Sequence, residues 1–187
     1  MKNSSRKWFS LFAMSLGVFM GLLDVTVVNV ALPTMQKAFN EPFTQLQWVL
    51  NAYTLVFAVT LLIVSKMGDM YGRKKIFLAS LILFVIASVV NGFAPSLLIL
   101  DIGRGVQAVG GAGMMSLSMA LVASNFDGKQ RGLALGILGS VIGLSSASGP
   151  LVGGLLVDAF GWESIFFINL PIGIIAVLMT VRFVKET

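Results

Sequence analysis

Six apolar runs, each long enough to cross a hydrocarbon layer and parted from the next by a short polar stretch, limit what this chain can fold into. They read as spans over about residues 8–32, 46–67, 76–94, 96–123, 132–157 and 165–184. About 20 apolar residues in a helix cover the bilayer core, and a helix satisfies its own backbone hydrogen bonds where no water can. The expectation is an all-α integral membrane protein, with residues 1–187 forming one bundle of six transmembrane helices. Composition agrees: 57% of the 187 residues are hydrophobic and 11% charged, against about a quarter charged in soluble domains.

The polar stretches set the orientation. With the N-terminus inside, the inner segments carry Lys2, Arg6, Lys7, Lys66, Arg73, Lys74, Lys75, Lys129, Arg131, Arg182 and Lys185, and the outer loops carry only Lys37. That asymmetry predicts both termini inside. Trp8, Trp48 and Trp162 fall at predicted membrane boundaries, where tryptophan gathers. The basic start followed by an apolar run is not read as a signal peptide, because the run continues past Asp24 without a small-residue cleavage site and five spans follow. The net charge of +5 sits in these inner clusters, so it reports topology, and no nucleic-acid partner is expected.

Cysteine and histidine are both absent. That removes disulfides, thiolate and imidazole metal sites and the usual nucleophile–base pairs, so neither a metal nor an enzyme activity is expected. Proton chemistry near neutrality falls to carboxylates.

Four stretches carry more than hydrophobicity. LDVTVVNVALP places Asp24 within the first span. SKMGDMYGRKKI, between the second and third, has Gly68 and Gly72 to permit a tight reversal and Asp69 and Arg73 at helical pairing distance. LLILDIGRGVQAVGGA puts Asp101 and Arg104 three apart in the fourth span, as a self-neutralising pair or as part of an ion path. GILGSVIGLSSASGPLVGG, in the fifth, is glycine-rich and holds Pro150, which predicts a bend. Its neighbourhood offers three small-residue pairs at spacing four, Gly132/Gly136, Gly139/Gly143 and Gly149/Gly153. Helical spacing sets Gly143 and Ala134 on opposite sides of that span. Gly143 is expected at a helix contact and Ala134 toward lipid.

Together these stretches resemble the major facilitator superfamily, in particular its fourteen-span drug:proton antiporters of the EmrB/QacA type. LDVTVVNVALP is similar to that branch's first-span motif, and Gly68, Asp69, Gly72 and Arg73 to the superfamily's loop motif, with Ser65 and Met70 departing from it. Arg104, Gln107 and Gly110 match the fourth-span pattern, with Ala108 in place of a glycine. Gly136, Gly149, Pro150, Gly153 and Gly154 resemble the antiporter motif of span five, where Ser145 replaces a glycine, and WESIFFINLPIG resembles the start of span six, with Glu163 where arginine is usual.

The resemblance implies two six-span bundles rocking about a midplane site, of which this chain supplies the first. It implies a proton-driven exporter of lipophilic, often cationic drug-like compounds in the plasma membrane of a bacterium, powered by a proton gradient and using no cofactor. Three accounts of the half stay open: a truncated, non-transporting chain, a fragment, or a half-subunit that assembles with itself or with a second bundle. Asp24 lies eight residues from the outer end of its span and Arg104 eight from the outer end of its own, so each is about 12 Å deep. If both spans line the cavity, as the resemblance implies, the two charges meet. The proton carrier is then Asp24 or Asp101, with Gln107 in the same cavity.

Overall fold

The computed structural model describes residues 2–187, the side chain of Lys2 excepted. It contains α1 (Lys2–Phe39), α2 (Phe43–Tyr71), α3 (Arg73–Gly92), α4 (Leu97–Asn125), α5 (Gly128–Phe160), α6 (Ser164–Phe167) and α7 (Asn169–Phe183), with no strand among the described residues. Six helical segments are long and apolar enough to cross a membrane, α6 and α7 together making the sixth. The helices overrun the predicted spans: α1 continues past Leu32 to Phe39 and stops where Asn40 takes a left-handed conformation, φ 53°. Hydropathy marks what lipid touches, whereas a helix ends where its backbone is capped or turned. Pro150 does not interrupt α5, which runs through it to Phe160.

Pairing follows a simple rule. α1 packs along α5 and α7, α4 packs along α2 and α3, and α1 meets α4 at the centre. Exchanging α1 with α4, α2 with α5 and α3 with α7 leaves these pairings unchanged, the pattern of a three-plus-three repeat. The chain ends lie together, as six crossings require: Arg6 Nε donates to the Phe183 carbonyl at 3.1 Å and Lys185 Nζ to Asn3 Oδ1 at 3.2 Å.

Missing side chains let the helices approach. A Cβ on Gly110 would lie 2.6 Å from the Ser80 carbonyl oxygen, so α4 meets the backbone of α3 there. One on Gly153 would lie 3.1 Å from Val27 Cα, and one on Gly149 would strike Thr26. Of the three small-residue pairs, Gly149/Gly153 is therefore the one that makes a contact within the bundle. Gly132, Gly136, Gly139, Gly143 and Gly154 face open space, and Ala134 is fully buried. Gly143 and Ala134 do lie on opposite sides of α5, but Ala134, expected toward lipid, is the inward one, and Gly143 meets no helix within this bundle. Spacing tells which residues share a face and not which way that face turns; the inward stripe is Ala134, Leu138, Ser145, Gly149 and Gly153.

Two apolar clusters result. One, toward the termini, includes Met14, Phe77, Phe84, Leu117 and Phe126, and the other, toward the far end, includes Val27, Leu46, Leu100, Ile165 and Phe166. Trp162 belongs to the second cluster, buried against Phe39 and Phe166, while Trp48 is half exposed. At the join between the clusters sit Asp24 of α1, Ser88 and Asn91 of α3, and Arg104 and Gln107 of α4, all buried.

Candidate functional site

Asp24 and Arg104 face each other where α1 meets α4, both without solvent exposure at the side chain. Arg104 Nη1 donates to Asp24 Oδ2 and, at 2.9 Å, to Gln107 Oε1. Its Nε donates to the Val49 carbonyl of α2 at 3.2 Å; a helical carbonyl keeps a second lone pair for such a bond. The guanidinium also lies over the Tyr53 ring, 4.2 Å from its centre, a cation–π contact that gains strength where water is excluded. A lone charge is costly at this depth, and this arrangement leaves neither charge alone.

The other carboxylate oxygen, Asp24 Oδ1, accepts from Gln107 Nε2 at 3.2 Å and from Asn169 Nδ2 at 3.4 Å. Gln107 reaches both partners because it stands three residues from Arg104 on the same helical flank. Its Oε1 accepts a second bond from Asn91 Nδ2 of α3 at 2.9 Å. Asn169 donates also to Ser88 Oγ at 2.8 Å, and Ser88 Oγ donates to the Phe166 carbonyl at 2.7 Å. One connected layer therefore ties α1, α2, α3, α4, α6 and α7.

A break in the sixth span positions Asn169. Pro171 has no N–H for the Phe167 carbonyl and its ring crowds that carbonyl, so α6 stops at Phe167. In α7 the same proline falls in the first turn, where an N–H has no helical partner anyway. Asn169 becomes the first residue of α7, buried against the carboxylate.

Asp101 does not neutralise Arg104: the arginine reaches across to α1, and Asp101 stays on α4, partly exposed, with Oδ1 buried and unbonded. The self-neutralising pair is thus corrected. Ser88, Asn91 and Asn169 escaped the sequence reading. They carry the same signal as Asp24, a polar side chain within an apolar run, but uncharged groups are cheaper to bury and signal more faintly.

Beside this layer a cavity of about 380 Å³ opens between α1, α2 and α4. Gly17, Gly21 and Gly111 make the room, and Phe57, Met114 and Met115 give it an apolar, deformable wall. Tyr53 lines it as well, and its ring also carries Arg104.

At the terminal end, Asp69 and Arg73 form an exposed pair at 2.8 Å across the turn between α2 and α3. Gly72 makes that turn with φ 110°, a conformation that favours glycine. Gly68 does not: it lies inside α2, where a side chain would strike Leu117 of α4. Glu186 closes the turn from beyond α7, its carboxylate accepting from the backbone N–H of Lys74 at 2.9 Å and of Lys75 at 3.2 Å. Of the antiporter-motif positions, Gly149 and Gly153 pack on α1, while Gly136, Pro150 and Gly154 point away from the core.

Six membrane-length helices in a three-plus-three arrangement, with a buried charge pair at their crossing, define a multi-pass membrane protein built as transporters are. Residues 14–187 match the family model described as "Major Facilitator Superfamily", and the chain belongs to that family. It is 38% identical over 181 residues to the riboflavin transporter RibZ of Clostridioides difficile, covering 97% of this chain and 40% of RibZ. It is 40% identical to the multidrug resistance protein Stp of Mycobacterium tuberculosis, covering 95% of this chain and 33% of Stp. With the methylenomycin A resistance protein of Streptomyces coelicolor the identity is 42%, over 94% of this chain and 37% of that protein. The chain therefore spans about a third to two fifths of the length of these relatives. In fold it is similar to a bacterial homologue of the human lysosomal transporter Spinster, crystallised inward-facing and unoccupied, with a TM-score of 0.75 at 21% identity over 95% of this chain and 42% of that one.

Proposed function

We propose that this chain is the N-terminal six-helix bundle of a proton-driven exporter of lipophilic, often cationic compounds, acting in a bacterial plasma membrane together with a second bundle. The observation that carries the reading is the Asp24–Arg104 pair: an acid buried beside an arginine where α1 meets α4, within two membrane-length helices. Its proton occupancy follows from burial and from that neighbour, both of which a conformational change alters. Asp24 is the carrier of choice over Asp101, because its protonation state feeds directly into the layer that ties six helical elements. The apolar cavity alongside suits lipophilic substrates. The proton gradient supplies the energy, with no cofactor.

Two of the relatives named above are resistance proteins, which favours export of drug-like compounds. RibZ favours a second reading, a riboflavin transporter. The test is transport in vesicles by the assembly that contains both bundles, under an imposed pH gradient, with riboflavin included in the substrate panel. Asp24→Asn is expected to abolish gradient-driven transport while membrane insertion persists, and Asp101→Asn to retain it. The reverse pattern transfers the role to Asp101; full gradient dependence in both variants removes proton coupling through either acid.

A further inference from the structure

Every group touching the Asp24 carboxylate is a donor: Arg104 Nη1 at Oδ2, and Gln107 Nε2 and Asn169 Nδ2 at Oδ1. Such a shell suits the ionised acid: the donors fill both lone-pair sites of Oδ1 and one of Oδ2, and an O–H on Oδ1 would point at an N–H. One donor must give way to an acceptor. Arg104 has no acceptor to offer. Gln107 has one, but its Oε1 already takes bonds from Arg104 Nη1 and Asn91 Nδ2, so turning that amide over would strand two donors. Asn169 is free of this constraint: among the described residues no side chain donates to its Oδ1, and its bonds run from Nδ2 alone.

We infer that Asn169 is a proton-sensing amide, which turns over when Asp24 takes a proton and so passes the change toward the α6–α7 break. The inference rests on the reading of Asp24 as the proton carrier. The only covalent bond formed is O–H on Asp24 Oδ1, with the proton drawn from the aqueous side; the rest is rotation. Turned over, Asn169 presents Oδ1 both to the new O–H and to Ser88 Oγ. Ser88 then swings its hydrogen from the Phe166 carbonyl to Asn169. That carbonyl, two residues before the break, loses its side-chain tie to α3.

When Asp24 becomes neutral, Arg104 loses its counter-charge but keeps the Val49 carbonyl, Gln107 Oε1 and the Tyr53 ring, while its buried Nη2 has no hydrogen-bond partner. From the elements packed on α1 at this level, the charged or titratable groups that face Asp24 are Arg104 of α4 and Tyr53 of α2. The buried polar groups there on α3, α5, α6 and α7 are uncharged. Asn169 is in this sense a positioning residue, acting through Asp24.

The test is infrared difference spectroscopy on the chain reconstituted in lipid and taken through a pH titration. The wild-type chain is expected to show a protonated carboxyl band that Asp24→Asn lacks, accompanied by an asparagine amide signal. In Asn169→Leu, similar in size and able neither to donate nor to accept, the carboxyl band should move to higher frequency, because the acid has lost its acceptor, and the amide signal should vanish. A carboxyl band at unchanged frequency in Asn169→Leu overturns the inference. Should Asn169→Leu fail to insert, nuclear magnetic resonance of the unmutated chain with asparagine amides labelled in 15N decides. One amide must change with Asp24 protonation and stay constant in Asp24→Asn, and constancy in both chains refutes the switch. If no carboxyl band depends on Asp24 at all, the proton-carrier reading itself fails.

Discussion

At the scale of single residues, the charge pair is a problem of burial before it is a device. Arg104 is the largest fully buried side chain, and its enclosure depends on Asp24, Gln107, Val49 and Tyr53 together. Arg104→Met strips the carboxylate of its counter-charge, and breaking a buried pair from one side costs about 3–5 kcal/mol. A lower thermal midpoint of the purified chain is the expected readout. The double variant Asp24→Asn/Arg104→Met removes both charges and should recover most of that loss, as neutral replacements of buried pairs do. A double variant no more stable than Arg104→Met alone would mean that packing of the arginine stem, and not charge balance, holds the site. Arg104→Lys is not conservative here: an ammonium cannot bond Asp24, Gln107 and Val49 from one planar fork while lying flat on Tyr53.

At the scale of helices, stability resides in where side chains are missing. Gly110→Val pushes a branched side chain toward the Ser80 backbone, which cannot rotate aside, so a loss of about 1–3 kcal/mol is expected. Gly136→Val, at an open position, should be neutral or stabilising by about a few tenths of a kcal/mol, because valine is a better helix former than glycine. By the same logic Ala134→Leu should destabilise the isolated bundle and Gly143→Leu should not; thermal midpoints of the four variants in one detergent decide. The six spans were legible in the sequence because apolar length survives any packing arrangement; the matching depth of Asp24 and Arg104 was legible by counting along a helix, and their meeting only through the family resemblance. What escaped was rotation about the helix axis. It misled the reading of Ala134, and it hid that Asp101 takes no part in neutralising Arg104. The amides of Asn91 and Asn169 escaped because a neutral polar group in an apolar run has many structural uses.

For the molecule as a whole, exposure is distributed unevenly over the helices. The most apolar stretches of α1 and α4 are 61% buried, and those of α2 and α5 only 17%. Low burial alone would suit lipid, but the uncovered faces differ in chemistry. All four helices expose large apolar side chains, among them Ile86 and Leu178 on α3 and α7 and Leu62, Val59, Leu151 and Leu155 on α2 and α5; the difference lies in what accompanies them. α2 exposes Asn51 and Thr54, and α5 exposes Ser140, Ser146 and the open glycines Gly136, Gly139 and Gly143. Small and weakly polar residues are what helices use to meet other helices in a membrane. If the chain works with a second bundle, as proposed, the α2 and α5 faces are where that bundle is expected, and the chain by itself should not transport. Because the chain has no cysteine, single cysteines can report this without background. Ser140→Cys and Thr54→Cys should react with a membrane-permeant thiol reagent in the chain expressed alone and become protected in the assembly that transports. Ile86→Cys on α3 should react equally in both. Protection of Ile86→Cys in place of the α2 and α5 positions would move the second bundle to the opposite side, and gradient-driven transport by the monomeric chain would show that no second bundle is needed.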